Sequence, residues 1–96
     1  MPQPSEICVL GAGVVGTRIA RTLRAQGVAF RHASRHPSEG ILEADAFDAR
    51  SLAAAFAEVK VVINAAGPLR ETAAPVLTAA LAAGAHYFDV GGDQAT

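Results

Sequence analysis

The sequence predicts an α/β fold built on a parallel sheet, and three observations predict it. Short apolar runs alternate with stretches of helical periodicity along the whole chain. The first run leads straight into a glycine-rich loop of spacing Gly-x-Gly-x-x-Gly. The 96 residues are 51% hydrophobic yet only 5% aromatic, a balance that suits one small domain with alanine-rich helices lying close on a sheet.

Ile7-Cys8-Val9-Leu10 is a continuous apolar run, as expected of a strand buried on both faces. From Val14 to Gln26 the pattern becomes helical. Val15, Ile19 and Leu23 recur at four-residue spacing, Arg18, Arg21 and Arg24 form a separate solvated stripe, and Gly27 supplies the C-terminal cap. Val28 to Arg35 reads as a second strand and Leu42 to Phe47 as a third. The segment between them, His36 to Ile41, is too short for a crossover helix, so a turn is expected there. Asp48 can cap a helix that buries Leu52, Ala55 and Phe56. Val61-Val62-Ile63 is a fourth strand ending at Asn64. A helix over Thr72 to Ala83 follows, with Pro75 in its first turn and Gly84 as its cap, and His86 to Val90 form a fifth strand.

This alternation gives right-handed βαβ units, hence a Rossmann-like sheet of about five strands in the order 3-2-1-4-5 with helices on both faces. Such a sheet usually has one more strand. Residues 1–96 are therefore expected to be a single dinucleotide-binding domain, truncated before the last strand and before any substrate domain. An incomplete edge would favour self-association, with a homodimer preferred over a monomer.

Several function classes are disfavoured by composition. The formal net charge is −1 with no Lys/Arg run, which offers nucleic acid no basic footprint. No run approaches the length of a membrane span. Met1 to Glu6 lack the basic start of a signal peptide, so a cytoplasmic location is expected. Cys8 is the single cysteine and lies within an apolar run, as expected of a buried and inert thiol.

The chemistry lies in Gly11-Ala12-Gly13-Val14-Val15-Gly16, placed between a strand and a helix as a dinucleotide loop requires. Gly11 permits the tight turn, Gly13 leaves room for a pyrophosphate, and Gly16 lets helix and strand approach. The phosphates would meet free N–H groups at a helix N-terminus. At the end of the second strand, an NAD-specific site carries a carboxylate for the ribose hydroxyls. Here Ser34 and Arg35 stand instead, and both can bond a 2′-phosphate, which favours NADP over NAD. His32 and His36 lie near enough to assist but are expected to serve packing and surface. Asp45 and Ala46 end the third strand where an adenine would lie, Asp45 being equally readable as an adenine acceptor or a loop cap. Ala65, Ala66, Gly67 and Pro68 are small enough to let ribose and phosphates approach the backbone. Asp89, with Gly91 and Gly92, belongs to the carboxyl edge of the sheet, where a structural cap is the preferred reading and orientation of a nicotinamide the other.

Three segments, Gly11–Gly16, Val61-Val62-Ile63-Asn64-Ala65-Ala66-Gly67-Pro68 and Ala79 to Gly92, carry a resemblance to the NADP-binding domain of the saccharopine dehydrogenase-like family. The resemblance implies the cofactor half of a pyridine-nucleotide oxidoreductase, with the glycine loop and Ser34-Arg35 holding NADP. It differs in a shortened segment between strands two and three and in Ser34, where many relatives have glycine. The family's larger substrate domain is also expected to be missing, which leaves the isolated chain without turnover of its own. Two other readings remain: a stand-alone dinucleotide-binding sensor without catalysis, and an S-adenosylmethionine-dependent methyltransferase, against which Arg35 speaks.

Overall fold

A computed structural model describes residues 6–91. The expectations placed on Met1 to Ser5 and on Gly92 to Thr96 lie outside the described residues. The elements run β1 (Ile7–Leu10), α1 (Val14–Ala25), β2 (Arg31–Ser34), β3 (Leu42–Glu43), α2 (Ala49–Ala55), β4 (Val61–Asn64), α3 (Leu69–Ala82) and β5 (His86–Asp89). The five strands form one all-parallel sheet in the order β3-β2-β1-β4-β5, the predicted topology.

Strand alternation sorts the side chains. Cys8, Leu10, Ala33 and Val62 enter a core closed by Leu52, Ala55 and Phe56 of the α2 region and by Val76 and Ala80 of α3. The other face carries Val9 and His32, and there α1 packs on β1. Right-handed crossovers explain the division. The chain steps from β1 to β2 in one direction and from β3 to β4 to β5 in the other, so α1 and the α2–α3 pair must lie on opposite faces.

Helix ends follow from local chemistry. In α1, Gly27 adopts φ +73°, its N–H donates to Arg24 O, and Val28 N–H donates to Leu23 O, the paired bonds of a Schellman cap. This cap delays β2, which begins at Arg31 rather than at Val28. Gly84 and Ala85 repeat the arrangement on α3, donating to Leu81 O and Ala80 O. As expected, Asp48 caps α2, its carboxylate accepting from Arg50 N and Ser51 N.

Several predicted boundaries need correction. The third strand is two residues long instead of reaching Phe47. Asp45 ends it by folding its carboxylate back onto the Phe47 N–H at 2.9 Å, which makes a turn in place of extended chain. β2 stops at Ser34, leaving Arg35 in the following turn, and β5 stops at Asp89. Helix α1 ends at Ala25, with Gln26 as its cap. Helix α3 begins at Leu69, where Pro68 takes the N-cap position and its carbonyl accepts from Glu71 N and Thr72 N. Pro75 therefore lies inside α3 and not in its first turn, and it gives the Glu71 carbonyl no helical donor.

Candidate functional site

The carboxyl ends of β1, β2 and β4 converge on a cleft of about 290 Å³. Of the residues singled out in the sequence, Gly11, Gly13, Ser34, Arg35, Asp45, Ala46, Ala65, Ala66 and Gly67 line it. Val14, Val15, Gly16 and Pro68 do not. Val14 and Val15 form the exposed first turn of α1, Gly16 is buried behind the loop, and Pro68 caps α3. The lining also includes Phe47 and Thr72, for which sequence reasoning proposed no site role. Phe47 is 59% exposed, and a bulky aromatic beside a polar turn was the available signal.

The three loop glycines do different work. Gly11 has φ +110°, and a Cβ there would lie 2.6 Å from Ala65 O. A Cβ on Gly16 would come within 2.1 Å of Gly11 O. Both positions are thus set by the chain's contacts with itself. A Cβ on Gly13 would meet nothing within 4 Å, so the loop backbone there faces open space. Gly13 is also the N-cap of α1 and offers no side-chain cap. The first helical bond runs from Thr17 N to Gly13 O, so the N–H groups before it have no acceptor within the helix. Contrast α2, whose N-terminus is occupied by the carboxylate of Asp48.

The loop carbonyls are tied down in turn. Leu10 O accepts from Ala65 N at 2.7 Å, and Ala12 O from Thr17 Oγ1 at 3.0 Å. His32 Nε2 lies 2.7 Å from Gly11 O. Since a carbonyl can only accept, the imidazole proton belongs on Nε2.

The opposite wall, Ala65 to Gly67, is held by a buried asparagine. Asn64 Oδ1 accepts from Ala66 N at 3.0 Å, while Nδ2 donates to Thr72 Oγ1 and Tyr87 OH at 3.3 and 3.1 Å. Thr72 Oγ1 donates to Ala66 O at 2.7 Å, and Tyr87 OH to Asp89 Oδ2 at 3.0 Å. Burial pushes the Tyr87 phenol up, the Asn64 bond opposing the rise and Asp89 reinforcing it. Asp89 Oδ1 accepts from Gly91 N, so both of its carboxylate oxygens are engaged by the chain itself.

On the third side, the His36 backbone N–H donates to Ser34 Oγ at 3.2 Å, which leaves the hydroxyl proton free to donate elsewhere. Arg35 and His36 are exposed in the same lining. Asp45 serves its turn through Oδ1, and its backbone N–H donates to Ser51 Oγ. The arrangement is an anion-receptive helix end, a close-approach backbone wall and a cluster of polar donors around one cleft. Open space at Gly13 and the uncapped helix suit a pyrophosphate. Among the described residues no cluster of candidate metal ligands occurs, and no helix is long and apolar enough to cross a membrane.

Comparison with known proteins gives a consistent outcome. Residues 7–95 match the family model described as saccharopine dehydrogenase NADP binding domain. No curated protein matches the chain. Among solved structures, a Burkholderia pseudomallei protein whose name calls it exported is 33% identical over 93% of this chain, with a TM-score of 0.77. A short-chain dehydrogenase/reductase superfamily protein from Agrobacterium tumefaciens, with bound NAD, is 29% identical over 86% of the chain at TM-score 0.65. MoeE5, in complex with UDP-glucose and NAD, shares the fold at 22% identity over 84% of the chain and TM-score 0.63. The chain covers 48%, 31% and 34% of these three structures respectively.

Proposed function

The chain belongs to the family of saccharopine dehydrogenase NADP binding domains, and from that premise we propose that it holds NADP(H) as the cofactor half of an oxidoreductase. The observation that carries this reading is the division among the loop glycines. Gly11 and Gly16 are required by the protein's own packing, whereas Gly13 leaves open space at the loop backbone, which supports a ligand approaching from outside.

In this reading the N–H groups of Gly13, Val14, Val15 and Gly16 receive the pyrophosphate at the N-terminus of α1. Ser34 and Arg35 hold the 2′-phosphate, the first through its free hydroxyl proton and the second through its guanidinium. Asp45 and Ala46 border the adenine, and Ala65, Ala66 and Gly67 allow ribose and phosphates close to the backbone, with Pro68 starting α3 behind them. Bound NADP(H) supplies hydride chemistry, and the domain's contribution is to bind and orient it. The substrate and the groups that act on it are assigned to parts of a longer protein.

Paired calorimetric titrations of NADPH and NADH test the proposal. A hydrogen bond to a charged group contributes about 1.5–3 kcal/mol, which corresponds to roughly ten- to a hundredfold tighter NADPH binding. Equal or reversed affinities would remove the NADP assignment, and no binding of either would remove the cofactor reading altogether.

A further inference from the structure

We infer that His36 is a specificity-determining residue whose protonated imidazole strengthens the hold of Ser34 and Arg35 on the cofactor's 2′-phosphate. The inference rests on the proposed NADP(H) reading and adds a pH dependence to its selectivity.

Three facts place His36 in this role. It lines the cleft next to Ser34 and Arg35, in the turn that closes β2. Its backbone N–H is committed to Ser34 Oγ at 3.2 Å, which joins its position to that of the hydroxyl. It is exposed, so a proton can reach the ring without opening the fold. Among charged or titratable residues, the cleft lining carries Arg35 and His36 from this turn and Asp45 from the segment after β3. Asp45 turns one carboxylate oxygen to Phe47 N. Glu43, in register with Ser34 on the neighbouring strand, and Glu39 in the turn are exposed and outside the lining. Besides Arg35, His36 is therefore the side chain of this lining able to carry positive charge.

The direction follows from charge. A phosphate attracts the imidazolium form of a neighbouring histidine, so the added affinity is larger at acid than at alkaline pH. NADH lacks the phosphate and gains nothing. The phosphate itself takes up a proton near about pH 6, which weakens NADPH binding at the acid end whatever residue 36 is. Dividing the wild-type preference by that of a neutral variant cancels this common trend.

The test measures dissociation constants for NADPH and NADH between about pH 5.5 and 8.5, the range over which histidine side chains in general change charge, in the wild type, His36→Gln and His36→Lys. The NADPH preference of the wild type, divided by that of His36→Gln, should reach about three- to fivefold at the acid end, the size of an exposed charge contact, and approach unity at the alkaline end. His36→Lys should hold the higher preference across the range. Circular dichroism verifies that all three proteins fold. A quotient that stays flat overturns the role of His36 while leaving the NADP(H) reading intact, provided NADPH is still preferred. Absence of any NADPH preference overturns both.

Discussion

His32 Nε2 stands 2.7 Å from the carbonyl oxygen of Gly11, so a ring on β2 fixes the first residue of the loop that follows β1. The same carbonyl is the atom that a Cβ on Gly16 would strike. One oxygen thus sets both the turn and how closely helix α1 can approach it.

Replacing His32 with phenylalanine keeps a ring in a buried position but removes the donor to Gly11. A buried carbonyl left without a partner costs about 1–3 kcal/mol, so urea denaturation should show a loss of that size. An unchanged midpoint would mean that the bond contributes nothing to the loop.

The glycines can be separated experimentally. Gly13→Val should retain native circular dichroism and thermal stability yet lose dinucleotide binding, because its side chain enters open space. Gly16→Val should instead lower stability strongly, since its Cβ cannot be placed without moving Gly11. Normal cofactor binding by a folded Gly13→Val protein would mean that the phosphates lie elsewhere.

Arg35→Asp tests the 2′-phosphate site at an exposed position, where stability should change by no more than about 0.5 kcal/mol. The carboxylate would repel the phosphate and accept from ribose hydroxyls, so the preference should invert toward NADH. Calorimetry that shows NADPH still favoured would refute the role of Arg35.

Burial pushes the Cys8 thiol up to about 12 from an ordinary value of 9.0, with the coulombic effect of Arg31 opposing. The unfolded thiol loses its proton first, so the folded chain binds more protons between these values. The contribution is fully present below about pH 9 and declines as pH rises toward 12. Stability measured against pH should therefore fall less steeply in Cys8→Ala than in the wild type above pH 9. Native Cys8 should also resist thiol reagents until the protein unfolds, and rapid labelling of the folded chain would contradict its burial.

We propose that copies of this chain associate through β5, one of the two edge strands of the sheet among the described residues. Phe88 is 58% exposed and Val90 41% exposed there. Both an open edge and exposed apolar side chains favour pairing with a second copy. Light scattering should show mass rising with concentration, less so for Phe88→Ser, and a monomer at every concentration would dismiss the idea.

What was legible in the sequence was what local chemistry dictates. Positive φ and close approach require glycine, so the loop and both Schellman caps could be read from spacing, and alternating apolar runs gave the strand order. The errors arose where side chains act on the backbone. Asp45 can extend a strand or fold onto Phe47 N, and composition does not choose between them. Pro68 and Pro75 each suit a helix start, and only the bonds accepted by the Pro68 carbonyl show which one begins α3. The partners of Asn64 Nδ2 lie eight and 23 residues away, beyond any periodic pattern. Its role in the cleft wall depends on the fold bringing β4, α3 and β5 together.

That asparagine bears on the thermodynamics of binding. Its amide bonds Ala66, Thr72 and Tyr87 at once, so the Ala65–Gly67 backbone is already ordered before a ligand arrives. A ligand meeting this wall loses its own freedom but need not freeze the loop, and less of the contact energy is spent on ordering. Among variants that still fold, Asn64 substitutions should therefore act mainly through an unfavourable entropy of association, with the binding enthalpy comparatively little changed.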